Sequence, residues 1–150
     1  MSEPKSGAWC SLKVRAMYDE TPMGQLIMIS HPMRSWCPPT DVFESTDCYV
    51  IKCAISGLRC GPDGDIENAQ VTVEGQTIVI RGVRQDDCAQ EKCAYYQMEI
   101  HYGDFECRVE IHAPFDVRGI AAAYRDGFLV VTAPKAPVPG PHRIHVQTHG

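Results

Sequence analysis

Ile120-Ala-Ala-Ala-Tyr-Arg-Asp-Gly-Phe-Leu-Val-Val-Thr-Ala-Pro-Lys135 is the stretch whose pattern decides the fold. Ile120, Ala122 and Tyr124 alternate, Asp126-Gly127 breaks the run, and apolar residues resume from Phe128 to Ala133. Two apolar segments around an Asp-Gly pair predict strands joined by a tight turn, because glycine reaches positive φ without a Cβ clash. Pro134 lacks the N–H that a ladder needs and closes the second strand. Asp126, Gly127 and Leu129 are the residues on which this turn depends.

Working outward, the same period of two recurs. Phe105, Cys107, Val109 and Ile111 point one way, and Glu106, Arg108, Glu110 and His112 the other. Thr77 to Arg84 is rich in β-branched residues and follows a turn at Glu74-Gly75-Gln76. Ile66 to Val73 carries Ala69, Val71 and Val73 in register. Cys48 to Ser56 places Tyr49, Ile51, Cys53 and Ile55 on one face and Lys52 on the other, and Gly57 ends it. Gly61-Pro62-Asp63-Gly64 is loop chemistry. Pro38 and Pro39 suit an edge strand within Trp36–Glu44. About seven or eight short strands, with turn signals every eight to twelve residues, predict an antiparallel β-sandwich. If Ile66–Val73 and Ile120–Tyr124 are neighbouring edges, Val71, Val73, Ile120 and Ala122 line a groove.

The two ends differ from this middle. Residues 1–35 lack a clean period, and Pro22 and Pro32 allow at most short, weak helices. Their apolar residues include several methionines, which suit surfaces that repack against varied partners. The competing reading is a packed cover for the domain's edge. Gln85 to Cys93 is polar, acidic and too long for a tight hairpin. Residues 136–143 alternate proline, favouring an extended linker of roughly 25 Å at about 3.1 Å per residue. Ile144 and Val146 follow, two apart and therefore on one side of an extended chain.

The chain of 150 residues has room for one domain with a modest core. Hydrophobic residues at 44% and charged ones at 22% are ordinary for a soluble globular protein. A net charge of −5 argues against a nucleic-acid partner. No apolar run approaches the roughly 20 residues that span a bilayer, so no membrane is expected. The N-terminus lacks the apolar core of a secretory signal, which makes the cytoplasm the expected location. Eight cysteines without an export signal read as reduced thiols in preference to a disulfide framework.

Catalytic chemistry is sought and not found. No phosphate-cradling G-x-x-x-x-G-K-[ST] loop exists, so no nucleotide or other cofactor is expected. No C-x-x-C occurs, and Cys48 and Cys53 fall on opposite strand faces, so no metal is expected. Cys107 lies between His101 and His112 but shares the inward face with Phe105 and Val109, where a thiol behaves as a small hydrophobe. Asp86-Asp87 has no partner acid. An enzyme is not expected.

Ala122-x-x-x-Asp126-Gly127-Phe128-Leu129 resembles the A-x-x-x-n-G-v-L signature of the small heat-shock protein (α-crystallin) family. Ile144-His145-Val146, beyond its proline-rich linker, resembles that family's C-terminal Ile-x-Ile/Val motif. Trp36-x-Pro38-x-x-Asp41-Val42-x-Glu44 is similar to the opening of bacterial-type members. Ile78-x-Ile80-x-Gly82-x-Arg84 matches I-x-I-x-G-x-R, and Gly103-x-Phe105 with Pro114 matches G-x-F-x-R-x-F-x-L-P, the arginine displaced by one residue to Arg108.

Over roughly 36–146 the resemblance implies an immunoglobulin-like α-crystallin domain at 36–136. A flexible N-terminal arm (1–35) and a C-terminal extension (137–150) would flank it. It implies an ATP-independent holdase that keeps partly unfolded clients from aggregating, acting from a dynamic homo-oligomer of dimers. Ile144 and Val146 would enter the Val71, Val73, Ile120 and Ala122 groove of another subunit. Trp36, Val42, Tyr95, Tyr96 and Met98 would serve strand exchange in the dimer. Trp9, Leu12, Met17, Met23, Leu26, Ile27, Met28 and Ile29 would form a client-binding arm. Rival readings are a monomeric CS-domain-like co-chaperone adaptor and a thiol-based redox or metal-responsive protein.

Overall fold

The structure is a computed structural model that describes residues 9–16, 35–88, 94–137 and 140. Among the described residues nine strands run in chain order: β1 Cys10–Leu12, β2 Val14–Ala16, β3 Thr40–Glu44, β4 Cys48–Ala54 and β5 Ala69–Glu74 come first. β6 Thr77–Arg84, β7 Gly103–Glu110, β8 Ala121–Arg125 and β9 Phe128–Pro134 follow. A five-stranded sheet in the order β1-β8-β9-β4-β3 packs on a four-stranded sheet in the order β2-β5-β6-β7. The chain is an all-β sandwich, as its alternation predicts. Among the named strands every pairing is antiparallel except β2 on β5, which is parallel.

The core lies where the inward positions of both sheets meet. Ile51, Cys53 and Ile55 from one side face Val71, Ile78, Ile80 and Cys107 from the other. Leu129 and Val131 of β9 are fully buried beside them. Each such side chain contributes about 1.5–3 kcal/mol by leaving water.

The β8–β9 hairpin closes through Asp126 (φ 51) and Gly127 (φ 82), flanked by the Arg125–Phe128 pair. Positive φ at both central residues gives the turn whose twist matches the strands. Gly82 serves a different need. A Cβ there would stand 2.4 Å from the Phe105 ring and 2.5 Å from the Asn68 carbonyl oxygen. Val117–Gly119 is a single 3-10 turn, capped by Asp116 accepting from the Arg118 amide.

Three expectations need correction. Residues 10–16, read as lacking a clean period and as either a client-binding arm or a cover for the domain's edge, form two short strands, because sheet edges on the domain supply ladder partners that no local period announces. Ile66 lies ahead of β5 and joins no strand, though it is buried in the core and makes an isolated bridge to Cys60. The expectation of reduced thiols throughout fails at Cys10 and Cys60, which form a disulfide across a sequence separation of 50. The fold, and no motif, brings them together. Among the described residues no helix is long and apolar enough to cross a membrane.

Candidate functional site: a groove between two sheet edges

β5 belongs to one sheet and β8 to the other, and their edges face each other along one side of the sandwich. Val71, Val73, Ile120 and Ala122 are all buried there. The groove is filled from within the chain. β1 lies on β8 with Leu12 opposite Ala122, and β2 lies on β5 with Val14 opposite Val71 and Ala16 opposite Val73. The segment crosses from one sheet to the other at Lys13. Leu12 keeps only 7% of its surface exposed, and Val14 packs half-buried against the core.

Polar contacts fix the segment's outer side. The Ser11 amide donates to the Gly64 carbonyl at 2.8 Å, and the Ile66 amide donates to the Ser11 carbonyl at 2.9 Å. The Ser11 hydroxyl reaches Asp65 at 2.8 Å, and the Lys13 ammonium stands 3.3 Å from the same carboxylate. The Ser11 hydrogen bond and then Lys13 hold the Asp65 carboxyl below its ordinary range. Cys10 is tied to Cys60 in the loop before Asp65. Trp9 remains exposed, with the Arg125 guanidinium 5.6 Å over its ring.

A second surface lies between β6 and β7. Residues 94–102 form no strand and are exposed throughout, while apolar and polar residues alternate in sequence from Tyr96 to Tyr102. Tyr96 is fully exposed, and Met98 and Ile100 are 69% and 62% exposed. Tyr95 is also exposed. The base of the segment is anchored where His101 stacks on Trp36 at 5.4 Å. The Arg84 guanidinium lies 4.4 Å over that indole and donates to the His101 carbonyl. Val42 and Phe43 stand half exposed on β3, the outer strand of the five-stranded sheet.

Between the sheets the Cys37 and Cys107 sulfurs lie 2.9 Å apart, and the Thr40 hydroxyl donates to Cys53 at 3.3 Å. Interaction with the neighbouring Cys53 thiol, and then burial, hold Cys107 protonated, and interaction with Cys107 lowers Cys53. Burial pushes Cys37 up to about 11. Cys107 is thus a core thiol, as its inward position implies. His112 lies against Glu110 at the surface. Among the described residues no group of three or more His, Cys, Asp or Glu is placed to hold a metal ion.

The structure therefore brings the four groove residues together and places Tyr96, Met98 and Val42 in solvent, with Trp36 stacked at the base of 94–102. Ile144, Val146, Met17, Met23, Leu26, Ile27, Met28 and Ile29 lie outside the described residues. Leu12 and Val14 as groove fillers escape a sequence reading that seeks period over longer windows. A signal was present: Leu12-Lys13-Val14 repeats the aliphatic-basic-aliphatic spacing of Ile144-His145-Val146.

Comparison with known proteins bears on these surfaces. The model of the Hsp20/alpha crystallin family matches residues 41–148. A 17.7 kDa class II heat shock protein of Arabidopsis thaliana is 35% identical over 107 residues, covering 70% of this chain and 65% of that protein. The chain thus spans slightly less than two thirds of that relative's length. A small heat-shock protein from Xylella fastidiosa superposes with a TM-score of 0.63 at 24% identity, over 77% of this chain and 100% of the other. For hspA from Xanthomonas axonopodis the TM-score is 0.60 at 27% identity, over 69% and 98%.

Proposed function

Because the chain belongs to the Hsp20/alpha crystallin family, we propose that it is an ATP-independent holdase, binding partly unfolded proteins and preventing their aggregation from a dynamic homo-oligomer in the cytoplasm. The observation that carries this reading is the row of Tyr96, Met98 and Ile100 in solvent. Apolar residues alternating with polar ones along an exposed segment are the pattern of a strand awaiting a sheet edge, and an open edge is normally protected.

β3, with Val42 and Phe43 exposed, offers such an edge on a second copy. Exchange of 94–102 between two copies is self-complementary and closes as a dimer. Dimers then link when Ile144 and Val146 of one subunit enter the β5/β8 groove of another. Burying that pair is worth roughly 3–6 kcal/mol before the cost of ordering the tail. Single links are reversible, and repeated around a closed assembly they hold through effective concentration. Opening a link exposes apolar surface to clients. The division into arm, domain and extension at 35/36 and 136/137 is part of this proposal, with residues 9–16 docked on the domain.

The experiment is light scattering of a thermolabile test enzyme heated with the purified protein and no nucleotide. The expected result is suppressed scattering at equal subunit mass. Unchanged scattering overturns the reading.

A further inference from the structure

The groove proposed to receive another subunit's tail is already occupied, and its occupant is covalently secured. Leu12 and Val14 sit opposite Ala122 and Val71 with the two-residue spacing of Ile144 and Val146. Two aliphatic pairs of one geometry cannot fill one groove together. We propose that the Cys10–Cys60 bond is a redox-reversible modification site that decides whether the β5/β8 groove holds this chain's own residues 10–16 or a strand from a second copy. The inference rests on the groove reading above for the identity of that second strand.

The topology explains why the bond has this effect. The inserted segment is held at its C-terminal end by the β2–β5 ladder, and at its N-terminal end by the disulfide. A segment held at both ends must bulge out of the groove to leave it. With the bond broken, it can peel away from Cys10 one residue at a time, opposed by six paired positions, the Ser11 backbone bonds to Gly64 and Ile66, the Ser11 and Lys13 contacts with Asp65, and the burial of Leu12 and Val14, none of them covalent.

The bond is also reachable. Cys60 is exposed and Cys10 half-buried. A reducing dithiol attacks Cys60 through its thiolate, the Cys10 sulfur leaves and takes up a proton, and the mixed disulfide is resolved by the second thiol. Two electrons pass to the protein, and the dithiol becomes a disulfide. In the reverse direction hydrogen peroxide converts one thiol to a sulfenic acid with loss of water. The second thiol displaces a further water to restore the bond.

The test uses the full-length chain carrying Ile144→Ala and Val146→Ala, so that its own tails do not compete. A fluorescent peptide with the sequence of residues 140–150 is titrated against the oxidised protein, the reduced protein and a Cys60→Ser version, by anisotropy. Binding to the reduced and Cys60→Ser forms is expected to be about tenfold tighter than to the oxidised form. Hydrogen exchange at Ala121–Arg125 should accelerate on reduction without peptide and slow again with it. Equal affinity for oxidised and reduced protein overturns the proposal. Tight binding to the reduced form but not to Cys60→Ser assigns the effect to another thiol and overturns it too. Absence of binding in all three forms removes the groove as a docking site. The scattering assay above reads the holdase activity separately from all of these outcomes.

Discussion

The sulfur of Cys37, on the segment leading into β3, lies 2.9 Å from that of Cys107 in β7. Cys37 is exposed as a residue, but its sulfur is turned toward a buried thiol, and its pKa rises from 9.0 to about 11. The folded state therefore keeps a proton that the unfolded chain releases. Its stabilising contribution is complete below pH 9 and is lost as the pH rises from 9 to about 11. After allowance for solvent around this exposed residue the loss is about 1 kcal/mol. Thermal melts between pH 8 and pH 11 should fall more steeply for the parent than for Cys37→Ser, and parallel curves would remove Cys37 as the cause.

Gly127 and Gly82 should fail for opposite reasons. Gly127 has open space where a Cβ would go but sits at φ 82, so Gly127→Val costs about 1–2 kcal/mol through backbone strain alone. Gly127→Asn should cost less, since asparagine tolerates that region. Gly82→Ala instead drives a methyl into Phe105 and the Asn68 carbonyl, at roughly 1–3 kcal/mol. Melting temperatures of the three variants give the check. A Gly82→Ala protein as stable as the parent would show that Phe105 moves aside freely.

Arg81 pairs with Glu106 at 2.6 Å, Arg108 pairs with Glu74 at 2.6 Å, and cross contacts close a ring over β5, β6 and β7. Arg81 and then Arg108 hold the Glu106 carboxyl below its ordinary range against the opposing effect of burial. The resulting stabilisation is present above the unfolded value of 4.5 and disappears as the pH falls through the folded value. Glu106→Gln should lower stability at pH 7 by about 0.5–1.5 kcal/mol, and the gap from the parent should close as the pH falls below 4.5 and through the lower folded value. A gap that stays constant in acid would show that charge is not its source.

Tyr96, Met98 and Ile100 face solvent together, so charging them should not harm the isolated domain. Met98→Lys with Ile100→Glu is expected to give monomers in size-exclusion chromatography, with melting of the sandwich little changed. Deleting 86–94 should likewise yield monomers or aggregates. Intact dimers from both variants would exclude 94–102 as the exchanged strand.

In reducing buffer, Ile144→Ala with Val146→Ala should collapse the assembly to dimers, because aliphatic area is lost at every link. His145→Ala should keep the parent's size, since its side chain points away from the groove when its neighbours point in. If the double variant elutes with the parent, assembly rests on the arm.

The sequence by itself determined β3 to β9 and most of the residues that each turns inward. Alternation at Phe105–Ile111 and Tyr49–Ile55 depends only on a period of two and on turn residues such as Asp126-Gly127, and both are local. The α-crystallin resemblance was legible for the same reason, since its motifs are short runs at fixed spacing. Tertiary structure alone decided what lies between Ala122 and Val71. Leu12 and Val14 are too few to show a period, and they become strands because two sheet edges offer them hydrogen bonds and a dry groove. The meetings of Cys10 with Cys60 and of Cys37 with Cys107 are long-range in the same way. No spacing rule reports a contact that only the packing of separate strands creates.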